Sequence, residues 1–158
     1  MALKKALVLG SNGLPQQLQS GDYVNASSIP QYTNGESSAS LTLGMPVYMS
    51  ASDTVKRAES NALGTSFVVG LCNDSTITAS SLGGIATSNI VTGTTTQWDA
   101  VAGTTGGLAA NTMYFLSPST PGNLTATAPS TVGQYVCPIG IGVSTTEMKI
   151  NILTPILL

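Results

Sequence analysis

Histidine is absent from the 158-residue sequence, and only 8% of the residues are charged. Without histidine, the chain lacks the side chain most often used as a general base and as a metal ligand. The seven acidic residues are scattered one to a turn or strand, so their spacing indicates no carboxylate pair of the kind that glycosidases use. The glycine pairs at 83–84 and 106–107 lack the Lys-Ser/Thr ending of a phosphate-binding loop. We therefore expect no catalytic residues, no metal site, no cofactor and no enzymatic activity.

Cysteine occurs twice, as Cys72 and Cys137. The two residues are too far apart in sequence to form a Cys-x-x-Cys zinc site. Each lies in an apolar, strand-like run, where a free cysteine behaves as a small hydrophobic residue. We expect two reduced cysteines in the core, and a disulfide between them is the alternative.

The low charge also bears on binding partners. The five basic residues form no extended tract and the net charge is −2, so we expect no binding to nucleic acid. A surface made soluble mainly by Ser, Thr, Asn and Gln costs less to desolvate than a charged one. The composition therefore indicates a homo-oligomer.

Long hydrophobic runs are missing too. No stretch approaches the roughly 20 apolar residues of a membrane span, and the run at 6–9 is shorter than the core of a secretory signal. We expect no membrane partner, and synthesis in the cytoplasm followed by assembly.

The pattern of the remaining residues is typical of β structure. From 135 to 143 large residues occupy every second position, while Pro138, Gly140 and Gly142 lie between them, which predicts a strand with one packed face and one closely approached face. Residues 112–117 read as a buried strand, and 147–153 as a strand with one dry face. Further strands are predicted at 41–50, 66–72, 77–79 and 83–91, and 52–62 is predicted to be a short strand and turn, with a short helix capped by Asp53 as the alternative. The fold class is therefore all-β, a small β-barrel or a jelly-roll-like β-sandwich over 41–158.

The first 40 residues contain too little apolar material for a core of their own. They are predicted to form an extended N-terminal arm that lies on another surface of the same subunit or of a neighbour. Its apolar residues are candidate interface residues, namely Leu3, Leu7, Val8 and Leu9.

Trp98 and the C-terminus supply the other interface candidates. Trp98 lies in a Thr/Gly-rich stretch, 92–107, predicted to be a loop, where its ring would cover a barrel end or a neighbour while its N–H donates to a carbonyl. The alternative is a sugar-stacking platform. The chain ends in Ile156, Leu157 and Leu158, which we expect to be buried either under the barrel or between subunits.

Several fragments resemble a small β module in structural proteins of tailed bacteriophages. In chain order they are Pro46-Val47-Tyr48, Val55-Lys56-Arg57-Ala58, Val68-Val69-Gly70-Leu71, Gln97-Trp98-Asp99, Gly106-Gly107-Leu108, Tyr114-Phe115-Leu116-Ser117, Pro121-Gly122-Asn123-Leu124-Thr125, Tyr135-Val136, Ile139-Gly140 and Lys149-Ile150-Asn151-Ile152. The resemblance covers roughly 41–158, and the module is found in capsid decoration (cement) proteins and in parts of tail fibres. The segment 14–22 is similar to the N-terminal segments of tail-fibre proteins.

This resemblance implies a virion protein on the capsid surface. It would bind the major capsid protein as a homotrimer and cement neighbouring capsomers. The alternative is a tail-fibre or baseplate adaptor, or a receptor-binding component of the tail, although the sequence shows no heptads or shaft repeats. A third hypothesis, a virion enzyme that degrades cell-wall sugar, is disfavoured by the missing histidine and acid pair.

Overall fold

The computed structural model describes residues 29–158 and, in the segment before them, the backbone of two short strands. The strands are Leu7–Leu9 (β1), Pro15–Gln17 (β2), Gln31–Asn34 (β3), Leu41–Thr42 (β4), Pro46–Ala51 (β5), Thr54–Arg57 (β6), Val68–Cys72 (β7), Thr76–Ile77 (β8), Leu82–Ala86 (β9), Ile90–Thr92 (β10), Met113–Leu116 (β11), Leu124–Thr125 (β12), Tyr135–Val136 (β13), Pro138–Gly142 (β14), Glu147–Ile150 (β15) and Ile156–Leu157 (β16). The helices are Leu63–Ser66 (α1) and Thr95–Ala102 (α2). The predicted all-β class is confirmed.

Five strands close into a barrel in the order β3-β6-β5-β7-β9, with β9 pairing back to β3. The β3–β6 pair is parallel, and the other barrel pairs are antiparallel. Apolar residues of alternate positions fill its interior, namely Leu41, Val47, Val55, Cys72, Ile77 and Ile85. Closure leaves these strands without free edges.

A second, antiparallel sheet has the order β10-β15-β14-β11-β12. It contributes to a larger core that includes Trp98, Tyr114, Ile139 and Met148, all of them fully buried. Three two-stranded pairs complete the fold: β1–β2, β4–β8 and β13–β16.

The strand prediction at 135–143 is confirmed in part. Cys137 and Ile139 are fully buried, but the run is divided into β13 and β14, and Val143 is 45% exposed. A Cβ added at Gly140 would lie 2.5 Å from the carbonyl oxygen of Lys149. The small residue is needed because β15 runs against it. At 147–150, Met148 and Ile150 are buried and Lys149 is exposed, as alternation predicts.

Two predictions are wrong in their boundaries. Residues 92–107 contain the helix α2 rather than a continuous loop. The barrel begins at β3, within the range predicted to be an arm. The sequence of β3 is polar, so hydrophobic alternation gives no signal there. The strand is fixed instead by pairing and by buried Asn34, whose amide donates to the carbonyl oxygens of Ala39 and Ile77.

Of the helices in the described part of the chain, none is long and apolar enough to cross a membrane.

Candidate functional site

The acidic residues with the best-defined contacts stabilise local structure. Asp99, on α2, accepts hydrogen bonds from the backbone N–H groups of Gly107 (2.7 Å) and Gly106 (3.0 Å) and from the Thr104 hydroxyl (2.8 Å). These bonds, chiefly that from Gly107, lower the pKa of the Asp99 carboxyl. The carboxylate therefore holds the loop that follows α2.

The side chain of Glu36 pairs with Arg57, which lies on the barrel strand β6. Its Oε1 accepts from the backbone N–H of Arg57 at 3.0 Å and from Nε at 3.2 Å. Burial raises the pKa of Glu36, but the bonds from Arg57 and the positive charges of Arg57 and Lys56 outweigh it, so the pKa is lowered. The pair fixes the segment after β3 to β6.

Both cysteines are free and buried, which confirms the reduced-core prediction. Burial raises the pKa of the thiol to about 12 for Cys72 and to about 11 for Cys137. Thiols so protonated are poor nucleophiles and poor metal ligands at neutral pH. Among residues 29–158, no three acidic or cysteine side chains are grouped so that they could hold a metal ion.

Trp98 is buried inside the subunit. Its Nε1–H donates to the carbonyl oxygen of Thr146 at 2.9 Å, as predicted for a plugging ring. Its ring, however, is fully buried, so it reaches neither the surface nor a sugar. The interface and sugar-stacking interpretations of Trp98 are corrected accordingly. A Cβ on Gly44 would lie 2.7 Å from the ring, and Gly44 is therefore part of the same packing.

The C-terminal residues lie on the outside of the subunit. Ile156 and Leu157 form β16, which pairs with β13, and remain 63% and 59% exposed; Leu158 is also exposed. Burial under the barrel is therefore wrong, and burial between subunits stays a prediction. Of the arm candidates, Leu3 lies outside the described residues, and only the backbone of Leu7, Val8 and Leu9 is described, in β1.

A shallow groove of about 360 Å³ lies between the start of β3 and the turn that joins β9 to β10. Its lining includes Asn73, Ser88, Asn89 and Ile90 and contains no acidic or basic side chain. The groove can offer hydrogen bonds and apolar contact, but it has no group for acid–base chemistry.

Eight of the eleven large apolar residues exposed within residues 29–158 were not among the interface candidates: Met49, Leu63, Phe67, Leu82, Ile90, Val132, Val143 and Leu153. Leu63 and Val132 have only small or polar neighbours, so no periodicity marks them, and Phe67 lies in the run 66–72 that was predicted to be a buried strand. The helix α2 did carry a signal. Thr94 and Gln97 form a capping box, and Gly103 ends the helix in the left-handed conformation.

Comparison with protein-family models, curated proteins and solved structures finds no match to this chain. Within the described residues, no buried side-chain nitrogen or oxygen lacks a hydrogen-bond partner.

Proposed function

We propose that the chain is a structural protein of a bacteriophage virion that binds the outside of the capsid as a homotrimer and cements neighbouring capsomers. The observation that carries the proposal is a closed β-barrel body of low charge with large apolar residues left exposed, most prominently at β16. A subunit of this kind loses little hydration free energy when it is covered by neighbours. The resemblance over 41–158 supports a structural protein of the virion, and the module is shared between capsid decoration proteins and tail fibres.

The physical effect of such a protein is additive. Each bound copy contributes apolar burial at roughly 25 cal/mol per Å², and many copies on one shell resist internal pressure together. A protein that binds the expanded shell, and not its precursor, stabilises the expanded state by linkage. No catalytic group is required for this function.

The proposed contacts with the shell involve the N-terminal arm. Deletion of residues 1–22 removes Leu3 and the strand β1, but it removes no residue of β3 or of the other barrel strands. The arm is the part of the chain best able to cross a boundary between capsomers.

The test is binding of the purified chain to empty shells of the phage that encodes it, in the precursor and in the expanded form. We expect saturable co-sedimentation with expanded shells and a higher temperature of shell disruption. Absence of binding to either form would contradict the proposal.

A further inference from the structure

Three segments of the chain meet around Cys137. They are residues 60–67, 132–137 and 153–158. The Sγ atom of Cys137 lies 3.4 Å from the carbonyl oxygen of Ser66 and 3.7 Å from that of Leu153. Tyr135 donates its N–H to Ser60, which brings the first two segments side by side. We call the surface that the three segments form the C-terminal face.

Exposed apolar residues are concentrated on this face. Of the eleven large hydrophobic residues exposed within residues 29–158, seven belong to the three segments: Leu63, Phe67, Val132, Leu153, Ile156, Leu157 and Leu158. The exposed surfaces of these seven residues sum to on the order of 700 Å². That sum approaches the roughly 800 Å² that each partner buries in a standard interface.

Few contacts hold the strand β16 within its own subunit. It is two residues long, it pairs only with the equally short β13, and its side chains remain mostly exposed. A two-stranded ribbon alone is marginally stable at best, because ordering the backbone costs free energy that so few contacts do not offset. Covering the side chains of β16 would supply the missing burial.

The chemistry of the face favours an apolar partner. None of the three segments contains Asp, Glu, Lys or Arg, and Glu59, half-buried, directly precedes the first of them. A charged partner would lose hydration against the apolar residues of the face with no charged side chain of the three segments to pair with, whereas a second copy of the chain presents the same apolar residues. A face that contacts the same face of one other copy closes as a two-fold dimer, whereas a homotrimer requires adjoining parts of the face to contact each other around a three-fold axis.

We infer that the C-terminal face is the surface through which one copy of the chain binds another. The inference rests on the proposed function in one respect, namely that copies of the chain assemble with each other. It places the contacts with the capsid elsewhere on the subunit. It adds Leu63, Phe67, Val132 and Leu153 to the three C-terminal residues that the sequence indicated as interface candidates.

The experiment uses the full chain and two substitutions on the face, Val132→Asp and Leu157→Asp. Val132 is 87% exposed and lies outside the regular strands, so its substitution leaves the fold intact. The matched control is Leu82→Asp, on β9, because Leu82 is 69% exposed and lies off the face. Sedimentation velocity across a range of micromolar concentrations measures assembly, and far-ultraviolet circular dichroism confirms folding.

We expect the wild type and Leu82→Asp to sediment as the same oligomer. Each face substitution is expected to weaken association about a hundredfold or more, because an unpaired charge enters a desolvated interface. If Leu157→Asp loses its β spectrum, Val132→Asp alone decides the question.

A monomeric wild type would overturn the inference, as would face variants that assemble like the wild type or a control that dissociates as readily. Shell binding is measured separately on the same preparations. A monomer that still binds shells would contradict the inference and the homotrimer of the proposed function, and would leave the binding to the capsid standing. An oligomer that dissociates on face substitution but binds no shell would support the inference and contradict the proposed function.

Discussion

At the scale of a single residue, Trp98 joins distant segments of the chain within the larger core. Its indole N–H reaches Thr146, just before β15, and its ring packs on Gly44, between β4 and β5. Gly44 has φ +84°, a conformation that favours glycine, and has no room for a Cβ beside the ring. One side chain therefore holds the barrel side of the subunit against the second sheet.

Replacing Trp98 with Phe should lower the free energy of unfolding by about 1–3 kcal/mol, because it leaves a cavity and removes the hydrogen bond to Thr146. Urea denaturation followed by circular dichroism measures the change. Ile90→Ala, at a half-exposed position, is the control and should cost much less. Equal losses in the two variants would contradict the buried position of Trp98.

The same residue gives a spectroscopic prediction for the wild type. Because Trp98 is the sole tryptophan and is fully buried, its native emission should be blue-shifted and protected from acrylamide. Unfolding should shift the emission to the red and restore quenching. A native spectrum like that of free indole in water would place the ring at the surface.

Acid stability should depend on Glu36 and Asp99. The pKa of each carboxyl is lowered on folding, from 4.5 for Glu36 and from 3.8 for Asp99. The unfolded chain therefore binds these protons more readily, and the stabilisation is present above the unfolded pKa and lost as pH falls through the folded pKa. We expect unfolding free energies that are flat from about pH 8 to about pH 5 and fall below about pH 4.5.

The double substitution Glu36→Gln and Asp99→Asn should flatten that acid limb while lowering stability at neutral pH. Thermal unfolding measured at a series of pH values tests both parts. An acid limb of unchanged steepness would mean that other carboxyls dominate.

At the scale of elements, α2 depends on its N-terminal cap. Thr94 accepts from the backbone N–H of Gln97 at 3.2 Å, and the Gln97 side chain accepts from the N–H of Thr94 at 2.8 Å. Thr94→Ala should cost about 1 kcal/mol of unfolding free energy, and Thr94→Ser should restore most of it. Chemical denaturation compares the three proteins, and no loss in the alanine variant would contradict the role of the cap.

The N-terminal segment is the second element with a direct test. All barrel strands lie at or after Gln31. Among the described residues just before them, the carbonyl oxygens of Ile29 and Pro30 accept from the Gln31 side chain and from the N–H of Ile85. Removal of residues 1–22 should leave the β spectrum and the melting transition intact and should weaken attachment to shells. Insoluble truncated protein would show that this segment belongs to the folded body.

Sequence patterns predicted the elements whose side chains alternate. Large and small residues alternate in β14, and buried and more exposed residues alternate in β15. Both strands lie where the sequence predicted them. The polar β3 and the weakly amphipathic α2 were not predicted, because pairing and capping rather than hydrophobic period define them. The C-terminal face was predicted only at its last three residues, since the exposure of Phe67 and Val132 depends on which distant segments meet around Cys137.

The whole molecule combines a low charge with an apolar face on an all-β body. Such a subunit gains more from being covered than a highly charged one would, and this favours a role in an assembly of many copies. A coat on the head requires many subunits per particle, whereas a tail adaptor or receptor-binding component requires only a few.

The number of copies per virion tests the central proposal most directly. Quantitative mass spectrometry of purified particles, with the major capsid protein as the internal reference, gives this number. A capsid decoration protein should be present in hundreds of copies, in fixed proportion to the major capsid protein. A handful of copies per particle would place the chain in the tail, and its absence from the particle would contradict a virion role.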